Sequence, residues 1–108
     1  MILKINSQDY KVVERSRQED GMLNDGSYAY TLDMGNLIVL DKDISQSKKQ
    51  VTLMHEILHA IRFNNDAMPK PRKKDSFEDW EHYFIALYEG SLTAILKENP
   101  QLVEWLTK

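Results

Sequence analysis

The chain has 108 residues and a formal charge of −3; 42% of it is apolar and 29% charged, which suits one small globular domain. It contains no cysteine, and this excludes disulfide scaffolds, iron–sulfur sites, thiolate zinc sites and cysteine nucleophiles. No apolar run is long enough to span a bilayer, and the acidic balance argues against nucleic acid as the main partner.

Met1-Ile2-Leu3-Lys4-Ile5-Asn6 lacks the basic flank and long apolar block of a signal peptide, so a cytoplasmic address and no membrane partner are expected. Residues 1–44 read mainly as strands. Ile2 to Asn6 alternates, and Tyr10 to Glu14 is a β-rich run after the polar turn Asn6-Ser7-Gln8-Asp9. Arg15 to Gly26 breaks the pattern as a loop or excursion. Ser27–Leu32 and Asn36–Leu40 are two further strands, with Asp33-Met34-Gly35 as the hairpin turn between them.

The second half reads as helices. Over residues 45–64, Val51, Met54, His55, Leu58, His59 and Ile61 or Arg62 recur at three- and four-residue steps, and Ser45 or Ser47 can cap the start. Residues 65–75 form a basic linker containing Lys70-Pro71-Arg72-Lys73-Lys74, expected to be solvated and mobile. Residues 45–74 hold seven basic and two acidic groups, whereas 75–108 hold two and seven. Asp75 or Ser76 caps a long helix over 76–98, whose expected buried stripe is Trp80, Phe84, Leu87, Tyr88, Ser91 or Leu92, and Ile95. Asn99-Pro100 ends it, and 101–107 is one more short helix. The expected fold is α+β, an N-terminal antiparallel sheet followed by packed helices over residues 1–108.

His55-Glu56-Ile57-Leu58-His59 is an HExxH motif inside the first helix. Chance produces it in a chain this short on the order of once in a few hundred sequences. Positions 55 and 59 lie one turn apart on one face, so two imidazoles can hold one tetrahedral metal ion. Glu56 projects about 100° away. That suits a base acting on the water in the open coordination position better than a third ligand. The apolar neighbours Val51 and Met54 argue that the histidines are sheltered.

A catalytic zinc needs a third protein ligand. The second helix supplies Glu78, Glu81, His82 and Glu89. At about 100° per residue Glu81 falls within the arc of the expected buried stripe, and the other three fall on its margin or beyond. Glu81 is therefore the first choice for third ligand. His82 is the alternative, as ligand or as oxyanion stabiliser. Tyr83 and Tyr88 are further candidates for transition-state support. Two histidines and a carboxylate would also accept another divalent metal.

The order of parts resembles the ImmA/IrrE-type zinc metallopeptidases, particularly the short versions of phages and mobile elements. The matching stretches are Gln50-Val51-Thr52-Leu53-Met54-His55-Glu56-Ile57-Leu58-His59-Ala60-Ile61 and Glu81 through Pro100, with Leu37-Ile38-Val39-Leu40-Asp41 resembling the strand before the active-site helix. The resemblance implies a small zincin-like domain and a single zinc ion on His55, His59 and Glu81, with Glu56 as base. It departs from the family pattern at Phe84 and Tyr88, where small residues are usual.

The activity expected is hydrolysis of a peptide bond in a protein or peptide substrate, a regulator of a phage or mobile element being one candidate. Such a substrate could pair with an edge strand of the Tyr28–Leu40 hairpin. The alternative is a catalytically silent metal-binding module that acts by binding a repressor or host protein.

Overall fold

The computed structural model describes residues 1–23 and 26–108. Strand β1 (Ile2–Ile5) passes into β2 (Gln8–Arg15) through Asn6 and Ser7, whose φ angles are 51° and 66°. Two left-handed residues in succession make the tight hairpin whose twist matches its strands, so the turn is shorter than the expected 6–9. Strands β3 (Ala29–Leu32) and β4 (Leu37–Asp41) form a second hairpin. There Asn36, not Gly35, takes the positive φ of 48°.

Among the described residues the sheet has the order β1-β2-β4-β3. Both hairpins are antiparallel, but β2 and β4 run parallel, with Val12 opposite Ile38 and Val13 opposite Val39. The sheet is thus mixed rather than purely antiparallel. The reason lies in Leu37-Ile38-Val39-Leu40: Ile38, Val39, Leu40 and Asp41 are all buried, on both faces. A nearly continuous apolar run gains most from a central position. Seating β4 beside β2 leaves the more polar β3 at the edge.

Leu3, Ile5, Tyr10, Val12, Ile38 and Leu40 join residues of the helices in the core. The 16–23 excursion meets the sheet through a 3-10 turn (Gly21–Leu23) that packs against β3. Asp20 accepts hydrogen bonds from the Tyr30 hydroxyl and the Arg15 guanidinium, and Arg17 Nε donates to Asp41 at 2.8 Å. Asn24 and Asp25, within the loop expected over 15–26, lie outside the described residues.

Helix α1 (Gln46–Asn64) begins at Ser45, whose hydroxyl accepts from the Lys48 N–H. Its buried face is Leu53, Glu56, Ile57, Ala60 and Ile61. Val51, His55 and His59 are exposed, against the expectation that apolar neighbours shelter the histidines. The stripe at 53, 57, 60 and 61 is the more continuous apolar face, and it takes the sheet.

Helix α2 (Phe77–Glu98) starts with a reciprocal Ser76–Asp79 capping box. It buries Tyr83, Leu87 and Ile95 and leaves Phe84 43% exposed, so its inward face is rotated from the expected stripe. The preceding linker is exposed but shaped: Asp75 accepts from the Arg72 backbone and guanidinium, and Trp80 Nε1 donates to the Arg72 carbonyl.

Asn99, 2% exposed, joins α2 to α3 (Pro100–Leu106). Its Oδ1 accepts from the Lys4 N–H at 2.8 Å and its Nδ2 donates to the Lys4 carbonyl at 2.9 Å. The side-chain amide thus completes the ladder of edge strand β1, and Gln101 Nε2 donates to the Ile2 carbonyl beside it. Among the described residues no helix is long and apolar enough to cross a membrane.

Candidate metal centre

One turn of α1 presents His55 and His59 together, their Nε2 atoms 3.1 Å apart and their rings edge to face. Tetrahedral zinc bonded at about 2.0–2.1 Å to each nitrogen requires a separation of about 3.3 Å, so the pair has the bite of a metal chelate. His59 also stacks on Phe63, one turn further on, with ring centroids 6.1 Å apart.

Glu56 behaves differently from its neighbours. Its side chain is 8% exposed, whereas that of His55 is 67% exposed. A buried carboxylate needs partners, and the Thr31 hydroxyl donates to Glu56 Oε1 at 2.9 Å. The second oxygen, Oε2, lies 3.8 Å from His55 Nε2. One carboxylate oxygen is therefore held by β3 while the other is directed toward the histidines. Together the ligand atoms of His55, Glu56 and His59 lie within 4.8 Å of one another.

These residues form one wall of a cleft of about 280 Å³ whose other wall is β3, through Ala29, Tyr30 and Thr31. The Asp41 N–H donates to the Tyr28 carbonyl, and the register pairs Ala29 with Leu40 and Thr31 with Ile38. Tyr28, Tyr30 and Leu32 thus face β4 with their backbone groups, and those of Ala29 and Thr31 are directed to the free edge. An adjoining cleft of about 320 Å³ shares Ala29, His55 and Glu56 and extends to Tyr28, Lys48 and Val51.

The other sequence-derived candidates lie elsewhere. Glu81 is exposed on α2, outside the His55–Glu56–His59 group, and has no ion pair among the described residues. The rotation of α2 toward Tyr83 and Leu87 carries it off the inward arc. His82 is exposed, with Nε2 3.7 Å from Glu78. Tyr83 is buried among Trp80 and Phe84, and Tyr88 stacks on Phe84; neither lines the two clefts at His55. Thr31 escaped the sequence reading, since a threonine on a strand carries no signal of what faces it.

Hydrogen bonds from Tyr30, Met22 and Arg15 hold the Asp20 carboxyl below its ordinary pKa. The Asp43 N–H, then Arg17, do the same for Asp41. Burial, then Asp20, push the Tyr30 phenol up. Comparison of the chain with protein-family models, curated proteins and solved structures finds no match.

Proposed function

We propose that this protein is a metal-dependent peptidase, with His55 and His59 as metal ligands and Glu56 as general base. The observation that carries the reading is the division of labour on one helical turn. Two exposed imidazoles have chelating separation, and the buried carboxylate between them is tethered by Thr31 at the foot of an open cleft.

A zinc ion bound there supplies Lewis-acid activation of water and of a scissile carbonyl. Glu56 Oε2 accepts the proton of the attacking water and returns it to the leaving amine. Thr31 keeps Oε1 occupied, so the carboxylate presents one orientation. Ala29 and Thr31 offer backbone donors and acceptors to an extended peptide along β3. The resemblance implies Glu81 as third ligand, and the helix geometry read from the sequence keeps His82 as the alternative; both are exposed, Glu81 with no ion pair among the described residues and His82 with Glu78 at 3.7 Å. Tyr83 and Tyr88 line neither cleft at His55 and are not used.

The test is digestion of a mixed peptide library by zinc-loaded wild type and Glu56→Gln, with new termini read by mass spectrometry. Cleavage by wild type, lost in a variant that keeps its zinc, is expected. No cleavage by either overturns the reading in favour of a metal-binding interaction module, and equal cleavage by both overturns the role of Glu56 as base.

A further inference from the structure

The exposed face of α1 is a single stripe. Lys48, Val51, His55, His59 and Arg62 follow at steps of three, four, four and three, and all five are exposed. The stripe does not stop at the metal ligands. Toward the start of the helix, Lys48 lines the cleft that shares His55 and Glu56, with its Nζ 4.8 Å from the centre of the Tyr28 ring. Toward the end, the Arg62 guanidinium lies 5.9 Å from the ring of Phe63, which lines the metal cleft. Arg62 also lines, with Lys70, a further pocket of about 320 Å³ that includes Trp80, Tyr83 and Phe84.

The charge along this path is one-sided. Across the three clefts the lining cations are Lys48, Arg62 and Lys70, and the one lining carboxylate is Glu56. Lys48 and Lys70 have no carboxylate partner among the described residues, and Arg62 has only Asp66 at 3.9 Å. From Lys48 to Arg62 the helix rises about 21 Å, the length of about six residues of extended chain. The metal histidines fall between the two cationic ends.

We infer that this face of α1 and the clefts along it select extended peptides carrying acidic side chains on both sides of the scissile bond, one read by Lys48 and the other by Arg62 with Lys70. The inference rests on the peptidase reading and adds the substrate class to it. A metal held by His55 and His59 would reinforce the preference, because it would offset the charge of Glu56.

The experiment uses zinc-loaded Glu56→Gln protein and octapeptides bearing an uncharged dye. The peptides share one extended sequence and differ only in two residues on each flank, which are glutamate, glutamine or lysine. Fluorescence anisotropy should give roughly three- to tenfold tighter binding of the glutamate peptide than the glutamine peptide at low salt, narrowing as salt rises. In Lys48→Glu/Lys70→Glu the order should invert toward the lysine peptide. Equal affinities, no binding of the glutamate peptide, or a preference unchanged by the charge reversal would overturn the inference. The library digest separates the two claims: cleavage without acidic enrichment defeats this inference alone. Acidic preference in binding with no cleavage defeats the peptidase reading and leaves the charge selectivity as a property of a binding groove.

Discussion

The Thr31 hydroxyl on β3 donates a 2.9 Å hydrogen bond to Glu56 Oε1 on α1, joining the free edge of the sheet to the middle of the HExxH helix. Because Thr31 and Ala29 also turn their backbone groups to that edge, one strand both holds the carboxylate and, on the proposed reading, would offer a line for an extended substrate. Thr31→Val removes the bond with little change of volume. A hydrogen bond to a charged group contributes about 1.5–3 kcal/mol, so kcat/KM is expected to fall about ten- to hundredfold. Zinc content should not change, and Thr31→Ser should recover most of the activity. Unaltered turnover in Thr31→Val would remove Thr31 from the site.

Asn99 performs a purely structural task at the opposite edge. It exchanges two hydrogen bonds with Lys4 and donates a third to the Ile95 carbonyl, all from a buried side chain. Asn99→Ala should lower the unfolding free energy by about 2–4 kcal/mol in urea titrations, the sum of three modest bonds and their unpaired partners. Asn99→Asp should fall at least as far, since a carboxylate oxygen would then face the Lys4 and Ile95 carbonyls. A loss under half a kilocalorie in both would show that the amide contributes nothing to the edge.

Stability should also depend on acid through the carboxylates of Asp20 and Asp41. Asp20 and Asp41 have folded-state pKa values below the ordinary 3.8. Their contribution is complete above the unfolded value and is lost as pH falls through the depressed folded value. Tyr30, raised from 10.0, has the opposite sign: its contribution is present below the unfolded value and disappears as pH rises through the folded one. Urea midpoints measured across pH should therefore fall at both extremes. Asp20→Asn and Asp41→Asn should each flatten the acid limb, and Tyr30→Phe the alkaline one. An acid limb identical in wild type and both Asn variants would contradict this.

Much of the architecture was legible in the residues. Ser45 and Ser76 cap their helices as local chemistry dictates, and Asn99-Pro100 ends α2 where the proline forbids continuation. What local pattern could not supply was direction. Strand order depends on which strand gains most from the centre, and that is decided by β4 against the whole sheet. The face of α2 was ambiguous because Trp80, Tyr83, Phe84, Ile85 and Tyr88 run round most of the helix; packing chose Tyr83 and Leu87 and left Phe84 and Glu81 outward. On α1 the same difficulty put His55 and His59 on the sheltered side. The structure instead buries Glu56 and leaves the two imidazoles at the surface, where the proposed metal and substrate would have access to them.

Glu81 and His82 are expected to separate by mutation. Loss of metal in Glu81→Ala with retention in His82→Ala would make Glu81 the third donor and imply that α2 or its side chain adjusts when metal binds. The reverse pattern would transfer the role to His82. Retention in both would exclude each of them.

The central claim is that His55 and His59 bind a metal, and its most direct test is zinc per chain by elemental analysis. Wild type, His55→Ala, His59→Ala and Glu56→Gln would be compared after loading and exhaustive dialysis. One zinc is expected in wild type and in Glu56→Gln, and none in either histidine variant. Zinc absent from wild type after loading, or retained when either histidine is removed, would contradict it.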